Sequence, residues 1–214
     1  WIAYAVPAVS FAVTAWLLKR ARDDHYVAAF EAAAALLGAL FVLLQIRHGV
    51  HNGKPFSADW VFAERALDAA ALALMAVALH FVASRWARPV LLIAARVGAI
   101  GALALGVLLL VLNPWSENAV VGAWPIANLL LPAYAIPAIA AAWAVLRAPD
   151  LQVRPGWRRA FAYYALAAIF AWVTFQVWAL FHAGGSSRPR GTGVAEFLAY
   201  SVAWLALGGA LFWL

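Results

Sequence analysis

Tyr4-Ala5-Val6-Pro7-Ala8 returns later in the chain as Tyr134-Ala135-Ile136-Pro137-Ala138. Beyond this pair, Phe30, Gln45, His51 and Gly53 line up with Phe161, Gln176, His182 and Gly184 at an offset of 131, and Ala63-Glu64 with Ala195-Glu196 at 132. Offsets that drift by a residue per loop are what a duplicated unit accumulates. The repeat divides one membrane domain into residues 1–124, a first copy of four helices, and 125–214, a second copy of three helices.

Composition says what kind of helices these are. Of 214 residues, 67% are hydrophobic and 11% charged, against roughly 25% charged in a soluble domain. A soluble fold could not cover that much apolar surface. The apolar residues fall into seven blocks, 2–18, 26–46, 61–84, 90–112, 125–146, 160–181 and 194–214. Each is close to the roughly 20 residues a helix needs to cross a bilayer. The alternating strands of an outer-membrane barrel are absent from the pattern. The reading is an all-α, polytopic transmembrane bundle of seven spans built from a parallel four-helix repeat.

A formal charge of +6 would suggest nucleic acid in a soluble chain. Here the basic residues sit at alternate helix ends. Lys19, Arg20, Arg22, Arg85, Arg88, Arg147, Arg154, Arg158 and Arg159 occupy one set of connections, and Arg47, Lys54, Arg188 and Arg190 the other. Nine against four assigns the first set to the cytoplasm. The amino end of this stretch then starts outside and the carboxyl end finishes inside. Four spans per copy give both copies one orientation, a parallel repeat. No nucleic-acid partner is expected. Cysteine is absent, so thiolate and disulfide chemistry are excluded. The chain begins at Trp1 without methionine and stops at Leu214 within apolar sequence, which reads as a piece of a longer protein. The expected partners are the lipid bilayer and either other membrane subunits or further spans of the same chain.

Pro125 and Pro132, seven residues apart in one span, predict a kink, with Asn128 available to a freed carbonyl. Trp1, Tyr4, Tyr26, Trp60, Trp86, Trp115, Trp124 and Trp157 mark the membrane interfaces. The alanine run 32–35 with Gly98, Gly101, Gly208 and Gly209 predicts close helix packing.

The densest polar cluster joins spans two and three at the outer face: Gln45-Ile46-Arg47-His48-Gly49-Val50-His51-Asn52-Gly53, then Glu64-Arg65-Ala66-Leu67-Asp68. On a continuing helix His48 and His51 would share a face, as would Glu64 and Asp68 on the next. The candidate ligand-binding residues are Arg47, His48, His51, Glu64, Arg65 and Asp68. Three readings compete. In the first, these are solvated helix ends with Arg65 and Asp68 paired. The second is a metal site drawn from His48, His51, Glu64 and Asp68. The third is an anion or head-group site held by Arg47 and Arg65. Residues kept in both copies suit a shared structural role, such as a hydrogen bond from His51 to Glu64. Arg47, His48, Arg65 and Asp68 occur in one copy only and are the better functional candidates. Asp68 leads, because it lies inside a membrane helix. His80 and Arg96 are near the cytoplasmic side, and Glu31 is in reach of Arg20 or Arg22.

No phosphate loop, nucleophile elbow or His-Glu-x-x-His motif occurs, and no cofactor or metal is called for. Nearly charge-free span centres argue against a proton-coupled pump.

Trp124-Pro125-x-x-Asn128 leading to Ala133-Tyr134-x-x-Pro137-Ala138, Ile46-Arg47-His48-x-x-His51-x-Gly53, and Asn113-Pro114 resemble a bacterial family of predicted membrane proteins, domain of unknown function 2339. The resemblance implies a bacterial inner-membrane protein with more than seven spans and supplies no activity. Trp178-Ala179 replaces Arg-His in the second copy. The leading functional expectation is a non-enzymatic envelope component that binds or passes a small polar or lipid ligand at its outer face. The alternatives are a membrane enzyme acting on a lipid-linked or envelope glycan, with His48 or His51 as base, and a scaffold without ligand.

Overall fold

The computed structural model describes residues 2–21, 24–54, 56, 59–122, 124–147, 154–182 and 193–213. Trp1, Arg22, Gly184, Arg188 and Arg190, used above for the interface belt, the charge bias and the repeat, lie outside the described residues. In chain order the helices are α1 (Ile2–Ala21), α2 (His25–Val50), α3 (Phe62–Trp86), α4 (Pro89–Val111) and the short α5 (Pro114–Glu117). A π-helical turn (Leu131–Ala135) then runs into α6 (Ile136–Leu146), followed by α7 (Pro155–His182) and α8 (Val194–Trp213). Among the described residues there is no strand. Five helices, α2, α3, α4, α7 and α8, are long and apolar enough to cross a membrane.

Local chemistry sets the boundaries. Asp24, in extended backbone, accepts from the amides of Tyr26 and Val27 at 3.0 and 3.4 Å and starts α2. Asn113 does the same for α5, accepting from Trp115 and Ser116 at 3.0 Å each, with Pro114 at the first helical position. The chain leaves α2 through Asn52 (φ 50°) and Gly53 (φ 84°). It leaves α3 through Ala87 (φ 52°), after which the Arg88 amide donates back to the Ala83 carbonyl at 3.0 Å. That backward bond across a left-handed residue satisfies a carbonyl the helix end would leave open.

Two compact units result, Trp1–Trp60 with Ala71–Ala102, and Val61–Ala70 with Leu103–Leu214. In the first, α1 lies along α2, with the Phe11 and Phe30 rings 5.6 Å apart. A Cβ placed on Gly98 of α4 would meet the Ala76 methyl at 3.5 Å, and one on Gly101 the Leu72 side chain at 3.4 Å. Small residues thus bring α3 and α4 close, as membrane helices require when no hydrophobic effect drives them together. Arg88 pairs with Glu31 of α2 at 2.7 Å, both largely buried. The turn after α3 thus brings the guanidinium of Arg88 to Glu31, and of the two expected partners Arg22 lies outside the described residues.

In the second unit, Phe62, Ala66 and Ala69 of α3, Leu109 of α4, Leu130, Ala133 and Tyr134, and Phe175 and Ala179 of α7 form one core. Ala138, Ala141, Tyr164 and Ala168 form another between α6 and α7. Here α8 is tied to α7 by Trp204 Nε1 donating to Thr174 Oγ1 at 3.1 Å and by its ring stacked on Phe170 at 5.5 Å. The expected span 125–146 is helical only from residue 130 onward. Of the two prolines expected to kink it, Pro125 lies before the helix begins, and Pro132 lies in a π turn closed by the Ile136 amide donating to the Leu131 carbonyl. Pro132 and Pro137 have no N–H to offer an α-helical ladder, so a wider turn between them costs little.

Candidate functional site

The first turns of α3 carry three charged residues into the interior. Glu64, Arg65 and Asp68 are 3%, 5% and 8% exposed. Their neighbours Phe62, Ala66 and Ala69 anchor this end of α3 in the core, so the charges are buried with it. Glu64 in the first turn suits the positive end of the helix dipole. Arg65 forms an ion pair with Glu117 through Nη2 and Oε2. The Asn113 cap and the left-handed Asn118 (φ 51°) fix α5 as a single turn, and this presents Glu117. Glu117 is thus a carboxylate bound to Arg65, and Arg65 and Asp68 each engage a further partner. A buried ion pair of this kind contributes little net stability, but losing one partner strands the other charge.

Beside it, Tyr134 is fully buried, donates to the Leu109 carbonyl at 2.7 Å and packs on Phe175 with ring centres 5.3 Å apart. The Leu109 carbonyl belongs to the last turn of α4, where such groups lack helical partners. This is what Tyr134 does in the second copy of the Tyr-Ala-x-Pro motif.

Arg47 and His48 lie in the last turn of α2, and His51 is its C-cap, its amide donating to the Arg47 carbonyl at 3.0 Å. The helix stops at Val50, so His48 and His51 do not continue one helical face. Gly53 turns back to donate to the His48 carbonyl at 2.8 Å, and a Cβ there would touch the His48 ring at 3.6 Å. These three residues belong to the first compact unit, and Glu64, Arg65 and Asp68 to the second. All six engage partners. Among the described residues, no three His, Asp or Glu side chains are placed to hold a metal ion.

The ends of α7 and α8 hold a second polar group. His182 Nδ1 lies 3.0 Å from the Trp178 carbonyl and 3.7 Å from Glu196 Oε1. Tyr200 donates to that same oxygen at 3.1 Å, and the Trp178 and His182 rings stack at 5.5 Å. Glu196 and Tyr200 are 3% and 9% exposed. Further in, Gln176 and Asn128 exchange amide hydrogen bonds at 3.1 and 3.2 Å, and Asn128 Oδ1 also accepts from the Leu130 amide at 3.0 Å. Asn128 therefore caps the approach to the π turn and clasps α7, which corrects its expected role as partner of a proline-freed carbonyl.

Sequence reading missed Glu117 and the α7–α8 network as a unit. A usable signal for Glu117 was the Asn113-Pro114 cap, which holds a carboxylate three residues on at the level where α3 begins. The chemistry on hand is that of charge-assisted hydrogen bonds among carboxylates, guanidinium and imidazole. No curated protein and no solved structure matches the chain. One family model does, described as predicted membrane protein and matching residues 1–214. A chain covered from end to end by that model, and folded into apolar helices long enough to span a bilayer, belongs to the predicted membrane protein family DUF2339.

Proposed function

We propose that this protein is a non-enzymatic, multi-spanning component of the bacterial inner membrane that binds or passes a small polar or lipid ligand at its outer face. The observation that carries the reading is the burial of Glu64, Arg65 and Asp68 within the first two turns of a membrane-length helix. Ionisable groups at such a place are costly and mark ligand or ion contacts in membrane proteins. Arg47, His48 and His51 at the end of α2 are further candidate ligand residues. The same reading takes α1 and the helix of Leu131–Leu146 as two further spans, seven in all, with the amino end outside and the carboxyl end inside. Its parallel four-helix repeat is supported by the His182–Glu196 contact, because His182 and Glu196 are the counterparts of His51 and Glu64. Tyr200 stands where Asp68 stands and donates to Glu196, so the second copy is closed upon itself and the first carries the ligand. A scaffold without ligand is the second reading, favoured by Arg65 being already engaged by Glu117.

Native mass spectrometry of the full-length protein, released from nanodiscs, tests this. Wild type is expected to retain a specific small molecule or lipid, and Asp68→Asn to lose it while keeping its helical circular dichroism. A clean apo mass in wild type and variant alike sinks the ligand reading in favour of the scaffold.

A further inference from the structure

Three arginines stand where helix electrostatics disfavour them. Lys19 and Arg20 lie in the last turn of α1 and Arg85 in the last turn of α3, where the negative end of the helix dipole welcomes a cation. Arg154, Arg158 and Arg159 instead surround the start of α7, whose first turn contains no acidic residue. At that end the dipole is positive, and each cation is opposed by it as well as by the others. All three are exposed. Among the described residues none of the three is paired with a carboxylate, and the recorded bond between two of them is the Arg158 amide on the Arg154 carbonyl at 3.1 Å. Exposed cations gathered at the positive end of a helix form a surface that suits an anion.

The surroundings indicate which anion. With 28 residues, α7 exceeds the roughly 20 needed to cross the hydrocarbon, and its apolar run, 160–181, leaves the polar first turn at the level of the head groups. Trp157 is exposed between the arginines and lies 6.3 Å, ring to ring, from Phe161 one turn deeper. An amphipathic indole at that level sits among lipid head groups. We propose that Arg154, Arg158, Arg159 and Trp157 form a docking surface for the phosphate head group of an anionic phospholipid, with the acyl chains running down past Phe161. Guanidinium groups match phosphate oxygens in fork geometry, and clustered arginines next to a membrane helix recognise anionic lipid. The surface is separate from the proposed ligand site near the start of α3. It rests on α7 spanning the membrane and not on which leaflet its start faces.

The test uses the full-length protein in detergent, titrated with phosphatidylglycerol or phosphatidylcholine and read by native mass spectrometry. Wild type is expected to retain phosphatidylglycerol over phosphatidylcholine. The variant Arg154→Gln/Arg158→Gln/Arg159→Gln is expected to lose that preference by about 10- to 100-fold, given a substantial contribution per arginine near a lipid surface. The control Lys19→Gln/Arg20→Gln/Arg85→Gln, which removes as many cations elsewhere, is expected to keep it. An unchanged preference in the α7 variant overturns the proposal, as does an equal loss in the control. Displacement of the lipid by millimolar inorganic phosphate also overturns it, because the surface would then be a free-phosphate site. Detergent solution has no leaflets, so failure here leaves the outer-face reading untouched.

Discussion

Arg65→Met is expected to destabilise the protein by about 3 kcal/mol, the low end for breaking a buried ion pair by removing one partner. The side chain removed is 6% exposed and its partner Glu117 27% exposed, so water reaches the stranded carboxylate and softens the loss. Glu117→Gln is expected to cost less, since an amide oxygen still accepts from the guanidinium. The double variant should be less destabilised than the sum of the two singles, because removing both charges strands neither. Thermal unfolding in detergent, followed by circular dichroism, checks the cycle. Strictly additive losses would mean that Arg65 and Glu117 do not act as a pair.

The other large effect is expected at Gly106→Ala. A Cβ on Gly106 of α4 would overlap the Tyr164 hydroxyl and ring atoms. Tyr164 cannot swing aside, because it is 5% exposed and packed with Ala138, Ala141 and Ala168. Overpacking of a filled core costs about 1–3 kcal/mol, and more where the obstacle is rigid. The gain of about 1 kcal/mol in helix propensity from glycine to alanine offsets only part of that. We expect reduced yield of folded protein and a melting temperature lower by several degrees, whereas adding Gly106→Ala to Tyr164→Ala should cost nothing further. Tyr164→Phe alone should be neutral, since the hydroxyl has no hydrogen-bond partner among the described residues. A Gly106→Ala protein as stable as wild type would show that α4 and α7 are not in contact there.

Five membrane-length helices could be read from the chain because apolar length is a one-dimensional property, visible in blocks such as 26–46 and 90–112. Which face of each helix meets which neighbour could not be read so easily. Helices that are apolar all round carry no phase, so nothing in residues 103–111 announces that Gly106 receives Tyr164. Polar partners far apart in sequence were hidden for a related reason. Arg65 and Glu117, or Glu31 and Arg88, lie on different elements, and only packing decides their pairing. Pro132 did announce an irregular helix, but not that it would be a π turn holding Tyr134 against the Leu109 carbonyl. Gln176 and His182 stood out as repeated residues. Their contacts with Asn128 and Glu196 needed the fold. The charged start of α3 was legible as a candidate because charges are so scarce in this chain.

The central claim is that the charged start of α3 and its partner α5 lie at the outer face of the membrane. The chain has no cysteine, so single cysteines report cleanly. Ser116 of α5 and Ser84 near the end of α3 are both exposed. With a membrane-impermeant maleimide applied to intact spheroplasts, Ser116→Cys is expected to label and Ser84→Cys to label only after the membrane is opened. Labelling of Ser84→Cys from outside with Ser116→Cys protected would put the cluster in the cytoplasm and contradict an outer-face site.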